Sequence, residues 1–153
     1  MSDVNLYDVE TEALEGRPAG YEISRVRIGD LLGASALGLS VYDLPPGQSA
    51  FPYHYELGRE EWLLVLSGHP TLRDPDGEYE LAPGDLVVFP EGEDGAHKVT
   101  NNGDEVARIA MISNKEEPSV TFYPDSGKVG LFGPGLRKIL DENAELDYFH
   151  GEE

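Results

Sequence analysis

The chain contains no cysteine, which excludes disulfides, thiolate-bound zinc and a cysteine nucleophile by composition alone. Any metal must be held by histidine, carboxylate or water. Basic residues are scarce: 11 Lys and Arg stand against 30 Asp and Glu, for a formal net charge of -19 over 153 residues. No nucleic-acid partner is expected, because phosphate-backbone binding needs a Lys/Arg footprint that this chain lacks. Long apolar runs are also missing, and the opening MSDVNLYDVETEALEG has neither a basic region nor an apolar stretch. Neither a membrane span nor an export signal is therefore expected, and the reading is a cytoplasmic protein. Helical periodicity is nearly absent.

What remains is acidic, rich in glycine and proline, and the size of one domain. The acids are dispersed, never more than two in a row, so they form a solvated surface rather than a tail. Such a surface repels itself unless salt screens it, with a screening length of about 3 Å near 1 M. This points to a salt-loving host, with an unusually acidic mesophile protein as the alternative.

Short runs bounded by Gly, Pro, Asn and Asp recur from residue 21 onward, the pattern of an all-β sandwich or barrel. Strands are expected over 21–28, 36–44, 60–67, 71–73, 78–81, 85–89, 96–101, 105–113 and 119–123. DPDG between Arg73 and Glu78 predicts a tight hairpin, and NNGDE over 101–105 predicts a second. GLRKILDENAEL, residues 135–146, is the one expected helix, and LLGA after Asp30 could form a helical turn. Residues 1–20 read as an acidic leader, 21–123 as the barrel, and 124–153 as an extension that packs on the barrel or on a second subunit.

One segment carries chemistry. In PYHYELGREEW, residues 52–62, strand alternation places His54 and Glu56 on one face and Tyr53 and Tyr55 on the other. On the next strand Glu61, Leu63 and Val65 share a face, opposite Glu60 and Trp62. If His54, Glu56 and Glu61 face a barrel interior, groups with lone pairs converge in a dry place. Buried carboxylates cost on the order of several kcal/mol each unless a cation compensates them. A divalent metal is the simplest compensation.

Here the chain resembles the cupin superfamily of small jelly-roll barrels with a metal inside. Its first motif, HxH followed by three or four residues, Glu, six residues and Gly, is met by His54, Glu56, Glu61 and Gly68, with Glu56 in place of the second His. Its second motif is met by Gly84, Pro90, Gly92, His97 and Asn101, with a longer gap before His97. The resemblance spans residues 44–113. It implies a double-stranded β-helix and one divalent metal ion per chain, held by His54, Glu56, Glu61 and His97.

The carboxylate at position 56 favours iron or manganese, with zinc or nickel still compatible. Alternatively Glu56 turns away, leaving the two-His-one-carboxylate set of His54, Glu61 and His97. Or the site has decayed, and Glu56 pairs with Arg59, Arg73 or Arg108. The family includes oxygenases, isomerases, decarboxylases and sugar-binding regulatory domains. The resemblance thus implies a metal-dependent enzyme of oxygenase or isomerase type acting on a small polar metabolite, or else a non-catalytic metal- or metabolite-binding sensor module. It also implies a homodimer. His69 and His150 read as structural or exposed, Asn101 as a turn residue bonded to backbone, and Arg108 as a residue that could face an anionic substrate.

Overall fold

Two-residue alternation decides where each strand points. On the central strand Leu63 and Val65 are fully buried while Trp62 beside Leu63 is 39% exposed, the pattern of a sheet with one face on a core. The computed structural model describes residues 3–152. Its strands are β1 (Glu12–Ala13), β2 (Ser24–Arg27), β3 (Leu37–Leu44), β4 (Tyr55–Leu57), β5 (Glu61–Ser67), β6 (Thr71–Asp74) and β7 (Gly77–Glu80). They continue as β8 (Leu86–Phe89), β9 (Lys98–Thr100), β10 (Ala107–Asn114), β11 (Ser119–Tyr123), β12 (Lys128–Gly133) and β13 (Leu136–Asp141), with a single helical turn α1 (Ile28–Leu31) after β2.

All strand pairings are antiparallel. One sheet has the order β1-β2-β3-β10-β5-β8. Facing it are two smaller sheets, β13-β12-β11-β4 and β7-β6-β9. An isolated antiparallel bridge between His54 and His97 joins these two side by side. Leu44, Leu63, Val65, Ile109 and Met111 from the large sheet pack with Leu72 and Val99 from the opposite layer in one apolar core. The result is an all-β jelly roll, as the sequence predicts. Among the described residues no helix is long and apolar enough to cross a membrane.

The acidic leader is not loose. Val4, Leu6 and Val9 cover a second apolar cluster of Ile28, Val41, Leu66 and Ala110 on the outer face of the large sheet. Arg108 straps this segment down by donating to the Leu6 and Tyr7 carbonyls while gripping both oxygens of Asp43 at 2.7 Å. Arg108 therefore faces outward, not toward a substrate.

Three expected elements differ. The helix over 135–146 is instead the strand β13, paired with β12 along its whole length from Gly133↔Leu136 to Lys128↔Asp141. Pro134 and Gly135, the latter at φ 71°, make the tight turn that folds the chain back as a hairpin. The six β13 side chains are all exposed, so the helical spacing of Leu136, Ile139 and Leu140 has no groove to fill. NNGDE is not a hairpin either: β9 pairs with β6 and β10 with β3 and β5, so the chain crosses there from one layer to the other. Asn101 fixes this crossing, donating to the Leu44 and Glu105 carbonyls and accepting from the Gly103 amide. The first expected strand is also shorter, since α1 begins at Ile28. The DPDG hairpin forms as expected, with Asp74 paired to Gly77.

Candidate metal centre

His54 and His97 are far apart in sequence yet directly opposite in space. Each donates its backbone amide to the other's carbonyl, at 3.1 and 2.8 Å. Residues so paired project side chains from the same face of a sheet, here into the barrel, and the ring centroids are 4.6 Å apart. Both rings are buried. Each is fixed the same way: Nδ1 bonds the carbonyl two residues earlier, Pro52 for His54 and Gly95 for His97, both at 2.9 Å. A carbonyl only accepts, so both Nδ1 atoms carry the hydrogen and both Nε2 atoms present a lone pair inward. Phe89 stacks on the His97 ring at 3.6 Å and 7°, locking its plane.

Glu61 approaches from the opposite layer on β5. Its Oε2 lies 3.7 Å from His54 Nε2 and 3.5 Å from His97 Nε2, too far for good hydrogen bonds. The three ligand atoms lie within 4.8 Å of one another. His97 Nε2 is buried without a hydrogen-bond partner, a state that is normally costly. An ion about 2.0–2.2 Å from each donor would hold such donors roughly 3–3.5 Å apart. The donor set fits a divalent cation in both chemistry and spacing.

Electrostatics favour an ion at Glu61 and His97 and oppose it at His54. Burial, aided by the neighbouring His54, pushes the His97 pKa down to about 4, keeping it neutral. Burial also disfavours a charged His54, but Glu61, with the Pro52 carbonyl and Glu56, outweighs it and raises the His54 pKa. Burial opposes ionisation of Glu61, yet His54, His97 and Arg59 prevail and its pKa is lowered. A carboxylate and a neutral imidazole are the forms a metal takes.

Glu56 does not converge with these three. It shares the face of His54, as alternation predicts, but its Oε1 accepts a hydrogen bond from Thr121 at 3.0 Å and its Oε2 lies 3.8 Å from Arg59 Nε. Oε2 is buried without a hydrogen bond. Burial and then the charge of Glu61 raise the Glu56 pKa. Of the three arginines considered for it, Arg59 is the neighbour; Arg73 forks onto Asp125 at 2.7 and 3.0 Å. His150 and His69 are both exposed, away from the centre.

Sequence reasoning missed Phe89, Thr121 and Tyr123, whose ring lies 6.0 Å from His54. Alternation along β8 could have placed Phe89 inside. Nothing local marks Thr121, which reaches Glu56 only because β11 pairs with β4, Thr121 opposite Glu56.

This architecture is shared with known proteins. Residues 40–113 match the family described as Cupin domain. A provisionally assigned sugar phosphate isomerase from Acidithiobacillus ferrooxidans superposes with a TM-score of 0.83 at 26% identity, covering 93% of this chain and 91% of that one. A sugar phosphate isomerase of the cupin superfamily from Silicibacter pomeroyi also superposes at 0.83, with 23% identity over 96% and 98% of the two chains. The polyketide cyclase RemF from Streptomyces resistomycificus gives 0.63 at 26% identity, over 78% and 83%. None of the curated proteins matches. Residues 40–113 thus carry a cupin domain, and the chain as a whole adopts the fold of a cupin-superfamily structure.

Proposed function

We infer that this cupin is a metal-dependent enzyme of isomerase type, acting on a small polar metabolite. The observation that carries the reading is the convergence of His54, Glu61 and His97 on one point in a dry interior, with His97 Nε2 left unpartnered. These three residues would hold one divalent ion, iron or manganese by donor type. Bound there, the ion would supply Lewis acidity toward a carbonyl or hydroxyl oxygen of the substrate.

The protein's own groups have distinct tasks. The Pro52 and Gly95 carbonyls set both imidazole tautomers, and Phe89 holds the His97 plane and excludes water. Glu56, gripped at Oε1 by Thr121, presents Oε2 as a proton acceptor in the same interior. Isomerisation of a hydroxycarbonyl compound moves a proton between adjacent carbons and needs such a group. The likeness to the Acidithiobacillus ferrooxidans protein supports this reaction class over oxygen chemistry.

The test begins with elemental analysis of purified protein, followed by manganese loading and incubation with a panel of aldoses, ketoses and their phosphates. Interconversion that disappears in His97→Ala supports the proposal. Metal binding with no turnover of any panel member would favour the sensor module instead, and oxygen consumption would favour an oxygenase. Absence of metal binding overturns both enzyme readings and a metal sensor, leaving a metabolite-binding module.

A further inference from the structure

Beside the metal centre lies a second, unassigned feature, a cavity of about 330 Å³ lined by Arg27, Arg59 and Lys115. We propose that it is a subsite for the phosphate group of a small phosphorylated metabolite, presented to the metal centre next to it. The inference rests on the isomerase reading for what happens to the substrate, but the subsite itself needs only the residues that follow.

Position comes from strand register. Glu61 on β5 is paired with Ser113 on β10, and Ser113 with Gly38 on β3. These three share the inward face in one row across the sheet, and directly opposed neighbours sit about 4.5–5.5 Å apart at Cβ. Ser113 and Gly38 both line the cavity, so its floor adjoins the carboxylate of the metal centre. Gly38 keeps that floor open: a Cβ there would lie 3.2 Å from Ser113 Oγ. Arg59 links the two places, lining the cavity while its Nε stands 3.8 Å from Glu56.

Charge singles the cavity out. The chain has 11 basic residues, and three of them meet here. Against them the lining holds the acids Asp30 and Glu117, an excess of one positive charge on a chain of net charge -19. At physiological salt the screening length is about 8 Å, so an anion inside responds to these neighbours more than to the distant surface. A nucleic acid would have to run across that surface, whereas a single phosphate would not.

The two arginines are also uncommitted. Arg108 and Arg73 each fork onto a carboxylate at 2.7–3.0 Å. By contrast Arg27 reaches Asp30 only at 3.8 Å, while Lys115 is anchored on the Ala34 carbonyl at 2.8 Å and reaches Asp30 at 3.3 Å. Among the described residues Arg27 donates no side-chain hydrogen bond, and Arg59 donates only from Nε, to the Glu116 carbonyl at 3.4 Å. Guanidinium donors free in a planar fork match phosphate oxygens. Asp30 occupies the position of a weak internal competitor, touching both Arg27 and Lys115.

The experiment is isothermal titration of metal-free protein with inorganic phosphate at low ionic strength, beside acetate and a separate manganese titration. One phosphate per chain is expected, bound more tightly than acetate. The Arg27→Gln/Lys115→Gln double variant should weaken phosphate by about tenfold or more. Asp30→Asn, an exposed and conservative change, should tighten it, and His97→Ala should leave it unchanged. No phosphate binding, equal affinity in the double variant, failure of Asp30→Asn to tighten, or loss with His97→Ala each overturns the subsite. If manganese binds and phosphate does not, the subsite alone falls. If phosphate binds as described and manganese does not, the subsite stands and the metal reading falls.

Discussion

His54, Glu61 and His97 define the smallest scale at which this protein can be tested. His97→Ala removes a nitrogen with no substitute nearby, and Glu61→Gln removes the only carboxylate among the three. Each should lower bound manganese or iron from about one per chain to a small fraction, measured by elemental analysis after dialysis. Glu56→Gln should keep the metal and lose turnover, because Glu56 is held by Thr121 and Arg59 rather than by the other three. Loss of metal in that variant would instead make Glu56 a fourth ligand.

Protons compete with the ion at the same atoms. His97, held down to about 4, stays neutral through mild acid, whereas His54, with a raised pKa, takes up a proton first as pH falls. The rise in melting temperature on adding manganese should therefore shrink on acidification from pH 7 to 5. In metal-free protein the His97 pKa is depressed relative to its ordinary 6.5, so the folded state binds fewer protons than the unfolded one between those values. That contribution is present above pH 6.5 and is lost as pH falls toward 4, amounting to about 3 kcal/mol at most. His54 works in the opposite sense, stabilising at low pH and losing that effect as pH rises through its folded pKa. A pH series of denaturation midpoints with His54→Gln and His97→Gln would separate the two.

At the scale of elements, the turns and strands carry unequal information. Gly68, the last residue of the first motif, has φ 77°, and a Cβ there would sit 2.7 Å from the Ala107 Cα. Gly68→Ala combines left-handed strain with a backbone clash and should cost about 2–4 kcal/mol, read by urea denaturation. Much of this level was legible. β3, β5 and β11 lie where alternation puts them, and of the four residues singled out by motif spacing, His54, Glu56, Glu61 and His97, three come within 4.8 Å of one another. What was illegible depends on partners distant in the chain. β13 looks helical until β12 is known to lie beside it, and NNGDE looks like a hairpin until β9 and β10 are seen in different layers. Thr121 gains its role only through the register of β11 with β4. Short-range pattern tells which face a residue takes, but not which strand it meets.

For the molecule as a whole, the net charge of -19 outweighs every other feature of the surface. Carboxylates are spread over it with few partners, and their mutual repulsion opposes the compact state. Raising potassium chloride from 0.1 to 1 M shortens the screening length from about 10 to 3 Å, and the melting temperature should rise accordingly. A flat or falling response would remove the argument for a salt-loving host.

The reciprocal amide bonds of His54 and His97 have a mechanical corollary. They are the seam where two separate sheets meet, so an ion gripped by both rings acts as a clasp across it. Escape of the ion and parting of the seam then become one event, and the lifetime of the bound metal is set by how often β4 and β9 breathe apart. Hydrogen–deuterium exchange at these two amides should slow sharply on metal loading, while amides deep in the large sheet, such as that of Leu63, change little.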